Sequence, residues 1–336
     1  MKSKILHVYG VGNPLIDIIT NIEEKKLERL GIHKGAMHLI DIERRRDLLK
    51  IIETMDVEYS CGGSCPNTIL TLAALGVETT LAGKVGNDEF GEIYKKQVKE
   101  HHIQDEIVVC DEATGSSIIF ITEDSERTMN TFLGANRFYH KENIVKESII
   151  AADFFHFTGY MYDTPSQKEA IHIALDIAKT HNTTITFDIA DVFAVGRNRE
   201  GFLKLISEYA DVVFANGEEA RIIFDHYDPY ECCKSMGKLC TTAIVKNGKL
   251  GSFISHDQKM YNIPVQGPST PLDTTGAGDI YAAGFLYGLC HHLDIEQSGY
   301  IASYLAGEIV QQRGAQFNKE KALSIKHMLD SKFNLS

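Results

Sequence analysis

The strongest chemical signal in the sequence is the run DTTGAGD at residues 273–279, directly before a long apolar stretch. Its two glycines let main-chain N–H groups approach an anion without an intervening Cβ atom. A helix that begins here directs its positive end at the same point. The run therefore predicts an anion hole formed by Gly276, Ala277 and Gly278, with Asp279 beside it in the first helical turn. The pattern taken alone also fits a capping aspartate after a glycine-rich turn.

Two polar clusters lie early in the chain. Asn13 and Asp17 follow the first predicted strand, and Ser64 and Asn67 stand at the start of a predicted helix, directly after Gly63. Open α/β sheets bind ligands at strand ends and helix starts. These side chains offer donors and acceptors suited to vicinal hydroxyls. A helix N-cap explains Ser64 equally well.

Asn216 and Glu219 form a further cluster after the strand predicted at residues 211–215. Asn216 is suited to cap the next helix, and Glu219 completes a capping-box pattern with it. The same pair suits a Mg²⁺ ion on a triphosphate, because Mg²⁺ prefers oxygen ligands and retains several waters. Both interpretations stay open at this point.

The elements that must position these residues alternate between short β-branched runs and longer amphipathic ones. This rhythm predicts parallel strands with crossover helices on both faces, and hence an α/β fold in one domain over residues 1–336. The predicted strands are 5–11, 79–83, 153–157, 184–188, 211–215 and 242–246, and the predicted helices are 66–75, 88–101, 165–181, 198–209, 218–224, 276–290 and 294–312.

Two segments break the rhythm, at residues 14–43 and 107–134. The first holds a helix signal and a short apolar run, and the second resembles a hairpin with strands at 117–122 and 127–132. Together they predict a small sheet beside the main one, and appended sheets often act as lids. An edge hairpin without such a role is the alternative.

Composition excludes several classes of function. The 34 Lys and Arg residues against 46 Asp and Glu give a net charge of −12, which disfavours a nucleic-acid partner. No apolar run approaches ~18 residues and no signal-peptide pattern is present, so we expect a cytoplasmic protein without a membrane partner. Seven cysteines without a CxxC pair indicate neither a disulfide framework nor a zinc ribbon.

Other motifs of catalysis and nucleotide binding are incomplete. The run GKVG at residues 83–86 lacks two elements of a Walker A loop. GVGNPL at 10–15 has Leu where a dinucleotide fingerprint has its third glycine, which disfavours a dehydrogenase. GGSCP at 62–66 ends in Pro where a nucleophile elbow needs Gly.

The motifs that remain resemble, in the same order, those of the ribokinase (phosphofructokinase-B type) family of sugar and nucleoside kinases. DTTGAGD is similar to the C-terminal signature of that family. GGS at 62–64 with Asn67, GKVGNDEFG at 83–91, and Asn216 with Glu219 are similar to its other landmarks. The resemblance covers roughly residues 5–317.

This resemblance implies a three-layer α/β/α domain with a small β-sheet lid, and transfer of the γ-phosphate of ATP to a primary hydroxyl. Asp279 is then the base that accepts the hydroxyl proton, and Gly276, Ala277 and Gly278 stabilise charge on the transferred group. ATP and Mg²⁺ are the implied cofactors, with Glu219 reaching Mg²⁺ through water.

Many members of the family also use a monovalent cation such as K⁺, for which Asp273 and Thr275 are the candidate ligands. Helix packing explains Ala302 and Ala306 as well as contact with adenine does. The residues implied for the nucleotide are Asn216, Glu219, Lys246, Gly248, Gly251, Thr275, Ala302 and Ala306.

Within the family, GNPLIDI at 12–18 and RTMNTFLGA at 127–135 are similar to adenosine kinase-like members. The implied acceptor is a nucleoside, adenosine first, which is converted to AMP. A sugar kinase of the ribokinase or fructokinase type is the alternative, and a non-catalytic nucleoside-binding regulator is a more distant one. The partner is a small molecule, and the chain is a monomer or a homodimer. The residues implied for the acceptor are Asn13, Asp17, Gly63, Ser64, Asn67, Arg127, Leu133, Ala135, Tyr160 and Phe193, with Arg127 near phosphate and the last four around the base.

Overall fold

Short runs of β-branched and aromatic residues form strands along the whole chain. The computed structural model describes residues 6–124, 126–268 and 270–335. In chain order the strands are β1 (Val8–Val11), β2 (Leu15–Asn21), β3 (Met37–Leu39), β4 (Glu58–Gly62), β5 (Thr79–Gly86), β6 (Gln104–Cys110), β7 (Ser116–Ile121), β8 (Arg127–Phe132), β9 (Phe154–Thr158), β10 (Thr184–Asp188), β11 (Val212–Asn216), β12 (Thr242–Lys246), β13 (Ser252–His256) and β14 (Lys259–Ile263).

Between the strands, helices begin at side chains that cap their first N–H groups. Thr164 accepts from the N–H of Gln167 in a capping box, and a proline in the first turn follows the cap. The α-helices are α1 (Glu24–Arg29), α2 (Ile42–Ile52), α3 (Ser64–Ala74), α4 (Glu89–Glu100), α5 (Lys146–Ala151), α6 (Pro165–Thr180), α7 (Val192–Glu208), α8 (Gly217–Phe224), α9 (Pro229–Met236), α10 (Ala277–Cys290), α11 (Ile295–Ile309) and α12 (Lys319–Phe333).

The large sheet has nine strands in the order β14-β13-β12-β11-β10-β9-β1-β5-β6. Neighbours from β6 to β12 are parallel, and β13 and β14 form an antiparallel hairpin at the edge. Parallel neighbours need crossover connections, which the helices supply. The carboxyl ends of β1, β9, β10, β11 and β12 therefore open at one edge of the sheet.

Helices cover both faces of this sheet. On one face α3, α10, α11 and α12 share a core that contains Ile69 and Leu286. On the other face α6, α7 and α8 share a core that contains Ile171 and Phe202. The predicted three-layer α/β/α architecture is confirmed. The helix predicted from residue 198 starts earlier, because two helical stretches meet at Asn198 with φ −134° and ψ 25°.

The small sheet has five strands in the order β3-β8-β7-β2-β4. It contains both predicted hairpin strands, but its membership differs from the predicted lid of 14–43 and 107–134. The helix signal in 14–43 corresponds to the short α1, and β2 before it was not predicted. In addition, β4 joins this sheet, whereas β6 pairs with β5 in the large one. Among the described helices, none combines the length and apolarity needed to cross a bilayer.

Candidate active site

A cleft of about 920 Å³ lies between the carboxyl edge of the large sheet and one face of the small sheet. Strand ends and helix starts from both halves of the chain meet there, as is usual for ligand sites in open α/β sheets. Most of the predicted site residues line it: Asn13, Asp17, Gly63, Ser64, Asn67, Arg127, Leu133, Tyr160, Asn216, Glu219, Lys246, Gly248, Gly251, Asp273, Thr275, Gly276, Ala277, Gly278, Asp279 and Ala306.

Asp279 lies in the first turn of α10 and points into this cleft region. Its Oδ1 accepts a hydrogen bond of 2.5 Å from the Ser64 hydroxyl, and its Oδ2 accepts one of 2.9 Å from the Asn67 amide. Thr68 donates to the Asp279 carbonyl at 3.1 Å. The start of α3 therefore fixes the carboxylate from the side opposite α10.

Burial is the main influence on the Asp279 carboxyl and raises its pKa to about 6, although the bonds from Ser64 and Asn67 act in the opposite direction. The nearby Asp188 raises the pKa further, and Lys246 lowers it. A carboxylate with a pKa near neutrality is suited to accept a proton and release it again.

The main-chain N–H groups left without a partner at the start of α10 differ in one donor from the predicted anion hole. Gly276 has a left-handed φ of 71°, where a Cβ would lie 2.3 Å from the Cβ of Ala315. The N–H of Ala277 is bonded to the Thr274 carbonyl at 3.2 Å. Within the described chain, the N–H groups of Gly276, Gly278 and Asp279 have no such partner. The N–H groups available to an anion are therefore these three.

Ser64 and Asn67 were predicted to bind acceptor hydroxyls, but their donor groups are bonded to Asp279. Gly63, with φ 106°, allows this arrangement because a Cβ there would lie 2.2 Å from the Asn13 carbonyl oxygen. The tight turn brings α3 close to the loop after β1. Asn67 keeps its Oδ1 buried and without a hydrogen-bond partner in the described chain. That oxygen is the part of Asn67 left for a ligand hydroxyl.

Asn13 and Asp17 differ in how they are held. The Asn13 amide donates to the Tyr160 carbonyl at 3.2 Å and accepts from the Gln167 amide at 3.2 Å. Asp17 projects from β2 against Gly62, where a Cβ would lie 2.4 Å from its Oδ2. None of the described residues donates a hydrogen bond to the Asp17 carboxylate. Burial raises its pKa to about 7; the charge of Arg127 opposes this effect and that of Asp279 adds to it.

Asn216 and Glu219 form the capping box that the sequence allowed. Asn216 ends β11 and accepts from the Glu219 N–H at 2.9 Å. Glu219 accepts in return from the Asn216 N–H at 2.7 Å and from its amide at 2.6 Å. Burial raises the pKa of Glu219 to about 7, Lys246 lowers it and Asp188 raises it. Structural and ligand roles are compatible here, because the cap also holds the carboxylate beside the cleft.

Lys246 and Asp188 end strands β12 and β10, which flank β11 in the large sheet, and their side chains form a buried ion pair of 2.9 Å. A Cβ on Gly278 would lie 3.1 Å from the Lys246 Nζ, so the ammonium group lies directly beside the anion hole. Burial alone lowers the pKa of Lys246, but the carboxylates of Asp188 and Glu219 more than offset this effect and raise it.

The donor set fits Mg²⁺ that arrives with a nucleotide. Mg²⁺ is usually bound through one or two carboxylates together with phosphate oxygens and waters. Glu219, Asp188 and Asp191 line the cleft, and Asp188 pairs with the Lys246 ammonium group that lies beside Gly278. No group of three or more His, Cys, Asp or Glu in the described residues has the arrangement of a self-sufficient metal site. Glu219 is therefore suited to hold Mg²⁺ through water, and this role stays a prediction.

The residues predicted to bind a monovalent cation are already occupied. Arg127 donates to the Asp273 carboxylate and to the Thr275 hydroxyl. A positive charge thus lies where the cation was expected, and the donor set of Asp273 and Thr275 does not fit an additional cation.

Three predicted residues lie outside the cleft. Ala135 is fully buried in the 3₁₀ turn after β8, and Phe193 is 59 % exposed at the start of α7. Ala302 is fully buried, where α11 packs against Gly284 of α10. Helix packing therefore explains Ala302, whereas Ala306 lines the cleft. Of the proposed base-contacting residues, Leu133 and Tyr160 line it.

Sequence reasoning missed several residues of the cleft, among them Asp188, Asp191 and Arg313. A signal for Asp188 was available, because it ends a correctly predicted parallel strand. Asn216 was identified from the same kind of position. Arg313 follows α11, and no local pattern marks it.

Comparisons with known proteins identify the family of this chain. The model of the pfkB family carbohydrate kinases matches residues 32–322. Adenosine kinase 1 of Arabidopsis thaliana is 25% identical and matches 92% of this chain and 95% of its own length. The structure of adenosine kinase from Sinorhizobium meliloti superposes with a TM-score of 0.88 at 31% identity, covering 96% of this chain and 99% of that one. A probable sugar kinase from Rhizobium etli gives a TM-score of 0.89 at 31% identity, covering 99% and 100%. The chain therefore has the ribokinase-like fold and belongs to the pfkB family of carbohydrate kinases.

Proposed function

We propose that this kinase phosphorylates the primary hydroxyl of a nucleoside, with adenosine as the preferred acceptor and AMP as the product. Members of its family transfer phosphate to a hydroxyl acceptor.

The observation that carries the proposal is the pattern of side chains on the cleft face of the small sheet. Strand register aligns Asp17 with Ser117, and Ser117 with Thr131. The hydroxyls of Ser117 and Thr131 lie 3.0 Å apart. This row is polar and includes a carboxylate without a hydrogen-bond donor, which suits vicinal hydroxyls of a ribose.

The next row on the same face is apolar. Register aligns Ile119 with Met129, and Met129 with Met37. Leu133 extends the apolar lining after β8. A free sugar would leave this row without a partner, whereas a purine buries it at about 25 cal/mol per Å² of apolar area. A ligand with a hydroxylated part and a flat apolar part fits both rows.

Asp279 is suited to be the base of the transfer. The acceptor hydroxyl gives its proton to the Asp279 carboxylate while its oxygen forms a bond to the γ-phosphorus. The bond from that phosphorus to the bridging oxygen breaks, and ADP leaves with the electron pair. Such a base contributes ~10²–10⁴ in rate. The N–H groups of Gly276, Gly278 and Asp279 are placed to stabilise charge on the transferred group.

The other end of the cleft suits the nucleotide. The turn from Gly248 to Gly251 and the small side chain of Ala306 line it. Lys246 supplies a positive charge beside Gly278 for phosphate oxygens. When bound, Mg²⁺ neutralises phosphate charge, and Glu219 would hold it through water. Arg127 is also suited to bind phosphate, because its Nε and Nη2 groups are buried without a hydrogen-bond partner in the described chain.

A sugar acceptor is the second candidate, and a specific observation favours it. The Rhizobium etli structure, described as a probable sugar kinase, is as similar in sequence as the adenosine kinase from Sinorhizobium meliloti, at 31% identity each. Asp163 and Arg197, paired at 3.1 Å at the cleft wall, would offer further polar contacts to such an acceptor.

The deciding experiment compares kcat/KM for adenosine, inosine, guanosine, ribose and fructose in an assay coupled to ADP release. We expect adenosine to exceed both sugars by at least ~10-fold, because only a nucleoside covers the apolar row. A higher kcat/KM for ribose or fructose than for every nucleoside would overturn the proposal. A higher kcat/KM for inosine or guanosine than for adenosine would change the preferred base, but the acceptor would still be a nucleoside.

A variant within the apolar row tests the reason for that preference. Met129→Gln makes the row polar, so it should lower kcat/KM for the nucleoside while a slow ribose reaction stays within about twofold. Met260→Gln, on β14 and outside the lining of the cleft, is the matched control. An equal loss for nucleoside and ribose would remove the row from base recognition.

A further inference from the structure

An ion pair joins the small sheet to the loop that forms the anion hole. Arg127, the first residue of β8, directs Nη1 to both carboxylate oxygens of Asp273, at 2.9 Å and 2.8 Å, and to the hydroxyl of Thr275. The side chains are 15% and 6% exposed. The pair is therefore largely shielded from water.

Asp273 has no lone pair left for another ligand. Its Oδ1 accepts from the Thr275 N–H at 2.9 Å as well as from Arg127, and its Oδ2 accepts from the Gly314 N–H at 2.8 Å as well as from Arg127. A carboxylate has about four acceptor sites, and four hydrogen bonds fill them. Burial alone would raise the pKa of Asp273, but these donors hold it below its usual range.

The position of the pair gives it a role in the site. Asp273 and Thr275 directly precede Gly276, whose N–H is one of the three available to an anion. Thr275 is held at its N–H by Asp273 and at its hydroxyl by Arg127. The geometry of the anion hole therefore depends on a cation that binds Asp273 and Thr275 together.

We propose that Arg127 is that cation: a guanidinium carried by the small sheet replaces the monovalent metal ion expected at Asp273 and Thr275, so phosphoryl transfer by this chain needs no K⁺. Arg127 is thus a positioning residue for the anion hole. An alkali ion enters this place only after the guanidinium leaves it. The inference does not depend on which acceptor the enzyme prefers.

The first test measures the initial rate with the best acceptor of the panel in tetramethylammonium chloride and then in KCl, at equal ionic strength and with the Mg²⁺ concentration held constant. We expect a difference of less than threefold between the two salts. Activation of threefold or more by K⁺ in the unmodified enzyme would overturn the proposal, and this result requires no variant to fold.

The second test uses Arg127→Met, Arg127→Lys and the control Arg221→Met, whose arginine pairs with Glu218 outside the lining of the cleft. Arg127→Met should lose at least tenfold in kcat without K⁺ and recover threefold or more when K⁺ is added. Arg127→Lys should retain more activity and stay indifferent to K⁺, as should the control. If Arg127→Met keeps full activity, or shows no response to K⁺, the guanidinium does not replace a cation.

Thermal unfolding supplies a readout that needs no acceptor. KCl in place of tetramethylammonium chloride should raise the Tm of Arg127→Met and leave those of the unmodified protein and Arg221→Met unchanged. An equal shift in all three proteins would indicate a general salt effect and contradict the proposal.

Discussion

The two ends of the cleft satisfy their charges in different ways. At the end proposed for the acceptor, Asp17 is half-buried and receives no hydrogen bond from the described chain, and its pKa is raised to about 7. At the nucleotide end, Glu219 has the same raised value, yet it accepts from Asn216, and Lys246 neutralises Asp188. A ligand at the first end can therefore donate hydrogen bonds that the protein does not supply to Asp17. A ligand at the second end must instead replace hydrogen bonds and an ion pair that the protein already makes.

This difference has an energetic consequence. A ligand hydroxyl that binds Asp17 adds a hydrogen bond to a charged group, which contributes about 1.5–3 kcal/mol. A phosphate that binds Lys246 gains one ion pair while it weakens another, so its net gain is smaller. We therefore expect single substitutions to separate the two ends in kinetics and in stability.

The largest effect should come from Asp279, which lies where the two ends meet. Asp279→Asn keeps the shape but removes the base, so kcat should fall by ~10²–10⁴ while the KM values for acceptor and ATP change little. Asp294→Asn, at the N-cap of α11, is the control carboxylate and should stay near full activity. Retained turnover in Asp279→Asn would exclude Asp279 as the base.

Asp17→Asn should act on one end alone. Loss of a charged acceptor should raise the KM for the nucleoside ~10–100-fold and leave the KM for ATP within about twofold. Glu58→Gln, on the neighbouring strand β4 and exposed, should change neither constant. Equal changes in both KM values would contradict the separation of the two ends.

The pH dependence should report both carboxylates. Asp279 and Asp17 must be ionised to accept a proton and to bind hydroxyls, and their pKa values are raised to about 6 and about 7. As pH falls below about 7, kcat/KM for the acceptor should therefore decrease. In Asp17→Asn the decrease should begin about one pH unit lower, because only Asp279 still titrates. An unchanged pH profile in Asp17→Asn would show that a group other than Asp17 causes the decrease.

The remaining effects concern stability, and the two ends should differ in sign. The folded protein holds a proton on Asp17 up to about pH 7, whereas an unfolded aspartate loses it near ~3.9, so the stability that Asp17 contributes falls as pH rises between these values. Asp17→Asn should therefore raise Tm by a few degrees at about pH 8 and by less at about pH 5.

Lys246→Met should lower Tm, because it leaves Asp188 and Glu219 buried without a counter-charge. Removal of one partner from a buried pair typically costs ~3–5 kcal/mol, and a Tm decrease of about 5 °C or more is expected. Lys141→Met, which breaks an exposed pair with Glu169, should change Tm by less than about 1 °C. Tm changes of the same sign in Asp17→Asn and Lys246→Met would contradict the proposed difference between the two ends.

Local chemistry made much of this protein predictable from sequence. The glycine-rich run at 273–279 determines a left-handed turn into a helix, and Asp279 must then lie in the first turn. The capping box of Asn216 and Glu219 is also local, since its partners are one helical turn apart. The hydrophobic pattern predicted six of the seven parallel strands, because strands buried on both faces form continuous apolar runs; the edge strand β6 is partly exposed and was not predicted.

Only the tertiary structure decided which residues distant in sequence contact these local features. Ser64 and Asn67 bond to Asp279, and Arg127 bonds to Asp273, across separations in sequence for which no periodicity exists. Packing alone also decided that Ala302 is buried between helices while Ala306 lines the cleft. Short-range sequence determines backbone shape and capping, but the choice of ion pairs depends on how the two sheets come together, which is a property of the folded chain as a whole.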